Sequence, residues 1–98
     1  MAIITVISGT AVPGKTQEAL EKAQKVADHV NQNYSSSVRI TASLDGPGGR
    51  YQWLQENESL SEWEANQEKW VSDPVNLEWA AIIHEYWTDT TTHRYQTL

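Results

Sequence analysis

The segment from Ser37 to Asn57 constrains the fold more than any other part of the chain. Two runs of alternating residues, 37–44 and 50–57, flank the five residues Asp-Gly-Pro-Gly-Gly. Glycine supplies positive φ angles and proline pre-sets a turn, so the pattern predicts a β-hairpin.

Alternation within each run predicts which side chains share a face of the sheet. In the first run one face is apolar: Val38, Ile40, Ala42 and Leu44. In the second run one face carries two aromatics and two amides: Tyr51, Trp53, Gln55 and Asn57. The first strand is therefore predicted to be half-buried, and the second strand to carry its aromatics on one face and Leu54 on the other.

The chain before the hairpin predicts one strand and one helix. Residues Ala2 to Ser8 are apolar on both alternating faces, which indicates a central strand covered on both sides. Gly9 to Gly14 is predicted to be a loop, and Lys15 to Asn33 a helix. The helix has an apolar stripe at three- and four-residue steps: Leu20, Ala23, Val26, Ala27 and Val30.

The chain after the hairpin predicts a second helix and a last strand. Ser59 and Glu62 form a capping-box pattern at the start of a helix over 58–71. Its predicted inner stripe is Leu60, Trp63, Gln67, Trp70 and Val71. A short helical turn over 75–81 follows, then a strand over 82–90. The polar tail 91–98 either extends that strand or docks elsewhere.

The resulting order is βαββαβ, which is the ferredoxin-like arrangement. It predicts an α+β domain over residues 1–98, with a four-stranded antiparallel sheet and both helices on one face. The first strand is apolar on both faces, and Tyr86 and Trp87 point to opposite faces of the predicted last strand. A bare apolar sheet face is uncommon in soluble monomers, so we expect a homodimer that covers it.

Three segments resemble the dimeric α+β barrel superfamily, which includes NIPSNAP-like proteins and antibiotic-biosynthesis-type monooxygenases. They are Pro13-Gly14-Lys15, the run 48–53 (Gly-Gly-Arg-Tyr-Gln-Trp) and the run 58–65 (Glu-Ser-Leu-Ser-Glu-Trp-Glu-Ala). The resemblance implies that two sheets face each other across a dimer. It also implies a ligand pocket between sheet and helices.

The resemblance also implies residues that an active member would carry. Cofactor-free monooxygenases of the superfamily use an asparagine, a tryptophan and a histidine around a phenolic substrate, and here Trp53 matches the tryptophan. The first strand has no asparagine, and Trp70 stands where haem-degrading members have a histidine. These departures argue against both activities, and the sequence predicts no cofactor.

Composition limits the partners. The net charge is −6 and the seven basic residues are scattered, so no nucleic-acid-binding face is predicted. The chain has no cysteine, and its apolar start is too short for a signal peptide. No run is long enough to cross a membrane. We expect a cytoplasmic protein without membrane partners.

Residues Gly9 to Thr16 match the phosphate-loop pattern G-x-x-x-x-G-K-[ST]. Such a loop binds phosphate through backbone N–H groups, and Pro13 has none to give. The predicted sheet is also antiparallel, whereas phosphate-loop folds are parallel. We therefore interpret the segment as a loop that leads into a helix.

Two sets of residues are candidates for chemistry. His84 and Tyr86 share a face of the predicted last strand, where they serve either as an acid–base pair or as a histidine hydrogen-bonded at the core edge. The three histidines are dispersed, so no metal site is predicted. The second set lines an aromatic pocket or forms ordinary core: Tyr51, Trp53, Trp63 and Trp70.

The sequence thus predicts a small homodimeric protein that binds an apolar or aromatic molecule between sheet and helices. Two alternatives stay open: a cofactor-independent monooxygenase, and a non-catalytic structural module whose tryptophans only pack. An enclosed cavity lined by His84 or Tyr51 favours a ligand or catalysis, whereas a filled core without a cavity favours the structural module. Whether the protein is an enzyme is open at this point.

Overall fold

The structure is a computed structural model that describes residues 1–46 and 48–98; Pro47, in the predicted hairpin turn, lies outside the described residues. Within these ranges the elements follow in the order β1 (Ile3–Ala11), α1 (Thr16–Asn33), β2 (Ser37–Ala42), β3 (Arg50–Asn57), α2 (Leu60–Trp70), α3 (Pro74–Ile82) and β4 (Trp87–Gln96). The strands form an antiparallel sheet in the order β2-β3-β1-β4. The predicted ferredoxin-like fold is confirmed.

The hairpin register places side chains as the alternation predicts. Ile40 pairs with Trp53 and Ala42 with Tyr51, so the aromatics share a face with the apolar residues of β2. One expectation is wrong: β2 ends at Ala42, and Leu44 is 96% exposed in the connection that follows.

Strand β1 is longer than the sequence indicates. It continues to Ala11, so half of the predicted loop over 9–14 belongs to the sheet. Gly9, the first glycine of the phosphate-loop pattern, is consequently a strand residue. The chain turns at Gly14, whose φ of +83° favours glycine, and α1 begins two residues later.

The prediction for the last strand is wrong in its position. Residue Ile82 ends α3, the next three residues form a 3-10 turn (Ile83–Glu85), and β4 starts at Trp87. The tail predicted as an extension or a docking segment is most of β4. His84 and Tyr86 therefore do not share a strand face, and Tyr86 precedes the strand.

Helix α1 buries most of the predicted stripe, but Leu20 is only half-buried. Ala19, which is outside the predicted stripe, is buried as well. Helix α2 begins with the predicted serine cap, because Ser59 Oγ accepts from Glu62 N at 3.2 Å. The Glu62 carboxylate accepts from Glu58 N, one residue before the cap, at 3.1 Å. The stripe predicted for α2 is partly wrong: Leu60 and Val71 are exposed, and Asn66 is the buried residue.

Among the described residues, no helix combines the length and the apolar composition that a membrane span requires.

Candidate functional site

The helix-covered face of the sheet is organised in rows that run across the strands. One row is polar, because Thr5 pairs with Gln55 on β3 and with Arg94 on β4. The next row is mainly apolar, with Ile7 between Trp53 and Thr92. The third row has Gly9 beside Tyr51. Side chains directly opposite across antiparallel strands touch, so each row is a contact unit.

A bulge in β4 adds an aromatic residue to the third row. The pairing of β1 with β4 shifts between Ser8 and Thr10, and Asp89 adopts a φ of +50°. The shift reverses the alternation, so that Trp87, opposite Ala11, is on the helix side. Its ring meets that of Tyr51 edge-to-face at 5.9 Å.

Gly9 leaves the space that this aromatic pair uses. A Cβ atom at Gly9 would lie 3.3 Å from Thr90 Cγ2 and 3.4 Å from Trp87 Cε3. Contacts this short require the neighbouring side chains to move. The absent side chain thus allows Trp87 to lie close to the strand.

A cavity of about 390 Å³ lies between this sheet face and the helices. The sheet rows form one wall, and helices α1, α2 and α3 contribute the others through Ala23, Val26, Val30, Asn66, Gln67, Trp70, Asn76, Trp79 and Ala80. Protein interiors contain few voids larger than a water molecule. A volume of this size is within the range of small-molecule pockets.

Four of the five tryptophans line the cavity: Trp53, Trp70, Trp79 and Trp87. Three of the four predicted pocket residues are among the lining side chains, namely Tyr51, Trp53 and Trp70. Trp63 is not among them; its ring lies 5.0 Å beneath the guanidinium of Arg94, and its indole N–H is buried without a hydrogen-bond partner in the described residues.

The predicted catalytic pair lies outside the cavity lining. His84 is exposed in the 3-10 turn. The Tyr86 hydroxyl donates to Glu18 Oε1 at 3.0 Å, and this hydrogen bond raises the pKa of Tyr86. The lysine ammonium groups of Lys15 and Lys22 lie over its ring. The structure therefore places Tyr86 in a contact between α1 and the start of β4.

Sequence reasoning missed a cluster centred on Asp73. The Asp73 carboxylate oxygen Oδ2 accepts from the Tyr34 hydroxyl at 2.6 Å and lies 2.8 Å from His29 Nε2. Its other oxygen accepts from Val75 N at 2.9 Å and caps α3. The cluster joins the end of α1 to the start of α3, and Tyr34 also lines the cavity.

The cluster changes the acidity of two of its members. The hydrogen bond from Tyr34 is the main reason why the pKa of Asp73 falls to about 2, and the contacts with His29 and Val75 N lower it further. Burial and the bond to Asp73 raise the pKa of Tyr34. Tyr34 is consequently a neutral hydrogen-bond donor at physiological pH.

A second polar cluster stands beside the cavity at the end of β3. Asn57 is 1% exposed, and its amide donates to Ser36 Oγ at 2.7 Å. The amide of Asn66 donates to the same oxygen at 3.0 Å. These bonds connect α2 to the segment between α1 and β2, and they explain why an asparagine is the buried residue of α2.

One end of the cavity differs from the rest because it carries a charged side chain. Arg94 is the only charged residue among the lining residues of the described chain. Its row neighbour Thr5 is 5% exposed, and Thr5 Oγ1 has no hydrogen-bond partner within residues 1–46 and 48–98. In the same ranges no three histidine or carboxylate side chains gather as a metal-binding group would.

No family profile matches the sequence, and no curated protein matches it significantly. Solved structures do share the fold. One is a conserved protein from Methanosarcina mazei Go1, at a TM-score of 0.81 and 15% identity, covering 100% of this chain and 94% of that chain. Another is an uncharacterized NIPSNAP domain protein from Burkholderia xenovorans, at 0.80 and 15%, covering 98% and 94%.

A third similar structure is a candidate antibiotic biosynthesis monooxygenase from Nitrosomonas europaea, at a TM-score of 0.79 and 15% identity, covering 99% of this chain and 90% of that chain. At these identities the similarity establishes the fold. The predicted resemblance to NIPSNAP-like and monooxygenase-like proteins is confirmed at that level.

Proposed function

We propose that this protein binds a small apolar or aromatic molecule in the cavity between its sheet and its helices. The observation that carries the proposal is a cavity of about 390 Å³, partly open to solvent, that four tryptophans line. A chain that used these side chains only for packing would close the space, because each large ring contributes most to stability when it is fully in contact. Tyr51 is among the lining residues, and a lining tyrosine supports ligand binding over a structural module.

The proposal is tested by titrating the protein with 2-naphthamide, a neutral aromatic probe, and following tryptophan fluorescence and heat of binding. Thr92→Phe introduces a large side chain at a lining position of the cavity. Glu64→Phe is the control, since Glu64 is exposed on α2 and does not line the cavity. We expect Thr92→Phe to weaken binding at least tenfold and Glu64→Phe to leave it within about twofold. Equal affinities in both variants, or no binding by the wild type, would contradict the proposal.

A cofactor-independent monooxygenase is the second candidate function, and the similar structure from Nitrosomonas europaea favours it. In such a reaction a phenol and dioxygen yield a quinone and water, so the substrate supplies all the electrons. Tyr51 and Trp53 would hold the ring in the cavity, whereas His84 and Tyr86, the predicted acid–base residues, lie outside its lining. Dioxygen uptake with a polycyclic phenol would support this function, and no uptake by the wild type would contradict it. Uptake that is unchanged in His84→Ala and Tyr86→Phe would remove the pair from the mechanism.

We further propose that the helix-free sheet face pairs with a second copy of this chain. Its centre is aliphatic, because Val6 pairs with Leu54 and lies beside Ile4, while Arg39 and Glu56 stand at its border. An apolar centre with a polar rim is the usual anatomy of a protein interface. Light scattering after gel filtration should report a dimer for the wild type and a monomer for Leu54→Arg. Leu44→Arg, at a position already 96% exposed, is the control that should stay dimeric; a monomeric wild type would refute the pairing.

A further inference from the structure

We propose that the ligand carries an anionic oxygen head group, such as a carboxylate, and that Arg94 and Thr5 bind this group at one end of the cavity. The inference rests on the proposed ligand-binding function and names the chemistry of the ligand. It follows from the polar row formed by Thr5, Gln55 and Arg94. The aromatic lining of the cavity does not explain why polar groups stand at this position.

Arg94 is the first reason. Its guanidinium has five N–H donors, yet in residues 1–46 and 48–98 it makes no ion pair and lies over the ring of Trp63 at 5.0 Å. Stacking on an aromatic face holds the planar group in place and leaves its edge free for an acceptor. Acidic residues outnumber basic residues in this chain, which has a net charge of −6. A shortage of acidic residues therefore does not explain why this arginine has no ion pair.

Thr5 is the second and independent reason. Its side chain is 5% exposed, it lines the cavity, and its hydroxyl lacks a partner in the described residues. Leaving a buried hydroxyl unpaired costs stability, so native proteins usually pair such groups with another protein group or a water molecule, and a ligand oxygen can serve as that partner. Because Thr5 and Arg94 are directly opposite across β1 and β4, one bound group can meet both.

The neighbouring rows define the rest of the ligand. Ile7 and Trp53 follow the polar row, and the pair of Tyr51 and Trp87 follows them. A flat ring system extending along the strands would thus place its polar head at Arg94 and its body among aromatic side chains. An aromatic carboxylate has this distribution of charge and apolar surface.

The test compares two probes that share a skeleton, 2-naphthoate and the neutral 2-naphthamide, by calorimetry at low salt. We expect the wild type to prefer the carboxylate by about 5- to 10-fold, which is less than charge-assisted hydrogen bonds usually give, because the Arg94 side chain is exposed to water. Arg94→Met should abolish the preference, because it should weaken binding of the carboxylate much more than binding of the neutral amide. Arg94→Lys should retain part of the preference, and Thr5→Val should reduce carboxylate affinity about threefold.

Lys25→Met is the control, because it removes a positive charge from an exposed position of α1 that does not line the cavity. It should leave both affinities unchanged. Equal binding of the two probes by the wild type would overturn the head-group inference while leaving cavity binding intact. A preference that survives Arg94→Met would overturn it as well. Failure of both probes to bind would instead refute the proposed function, and the inference with it.

Discussion

Replacing Asp73 with asparagine tests the cluster that joins α1 to α3. Asparagine keeps an oxygen that can cap α3 at Val75, so the helix start is preserved. It loses the carboxylate that accepts from Tyr34 at 2.6 Å and contacts His29 at 2.8 Å. The variant therefore isolates the charge-assisted hydrogen bonds from the cap.

The magnitude follows from the pKa of Asp73, which the cluster lowers from its ordinary 3.8 to about 2. One pKa unit corresponds to about 1.4 kcal/mol, so the ionised carboxylate stabilises the fold by about 2 kcal/mol. Because the folded pKa is depressed, this stability is present above about pH 4 and is lost as the pH falls through 2. The Asp73 side chain is 10% exposed, so screening by solvent reduces the value little.

The assay is urea unfolding, monitored by tryptophan fluorescence, of wild type and Asp73→Asn at pH 7 and at pH 2.5. We expect a difference of about 2 kcal/mol in the free energy of unfolding at pH 7 and a clearly smaller one at pH 2.5. Asp45→Asn, at an exposed position in the hairpin connection, should change the value by less than about 0.5 kcal/mol. A difference at Asp73 that is absent, or equal at both pH values, would refute the reasoning.

Three further predictions follow from single side chains. Burial raises the pKa of Tyr34 above the ordinary tyrosine value of about 10. The protonated hydroxyl therefore stabilises the fold below about pH 10, and this stability is lost as the pH rises further. Tyr34→Phe should flatten this alkaline decline in the free energy of unfolding. Asp89→Val should destabilise the fold by about 1–2 kcal/mol because a β-branched residue is strained at a φ of +50°, whereas Asp89→Gly should be tolerated; equal melting temperatures for the two would exclude strain at the bulge. Asn57→Ala should cost about 2 kcal/mol in urea unfolding, since it removes the 2.7 Å bond to Ser36 from a buried position, and a neutral result would show that water replaces the amide.

The hairpin could be predicted because alternation has one consistent interpretation in a half-buried sheet. Once Tyr51 and Trp53 share a face with Ile40, their position beside the cavity follows from the register alone. The position of Trp70 beside the cavity could also be predicted, from its place on the inner stripe of an amphipathic helix. Periodicity is thus informative where one face is buried and the other is solvated.

The last strand was misplaced because a short apolar run fits a helix as well as a strand. Ile82 and Ile83 are β-branched, yet Asp73 and Pro74 start a helix that continues through Ile82. The threonine-rich segment that follows pairs with β1 instead. The bulge at Asp89 changes the face on which Trp87 lies, and the alternation of apolar and polar residues does not predict such a one-residue shift.

The Asp73 cluster was beyond sequence reasoning for a different reason. Its members His29 and Tyr34 are 44 and 39 residues away from Asp73, so they meet only after α1 and α3 have packed. The polar row with Thr5 and Arg94 is equally non-local. A threonine in a strand and an arginine in a tail carry no spacing signal before the order of the strands is known.

The occupancy of the cavity is tested most directly by two-dimensional NMR of the tryptophan indole N–H groups during a titration with 2-naphthamide. The five signals include an internal reference, because Trp63 does not line the cavity whereas Trp53, Trp70, Trp79 and Trp87 do. Binding in the cavity shifts those four signals with one common affinity and leaves the Trp63 signal nearly unmoved. Spectra in which none of the four signals shifts, or in which Trp63 alone responds, would contradict a ligand site between the sheet and the helices.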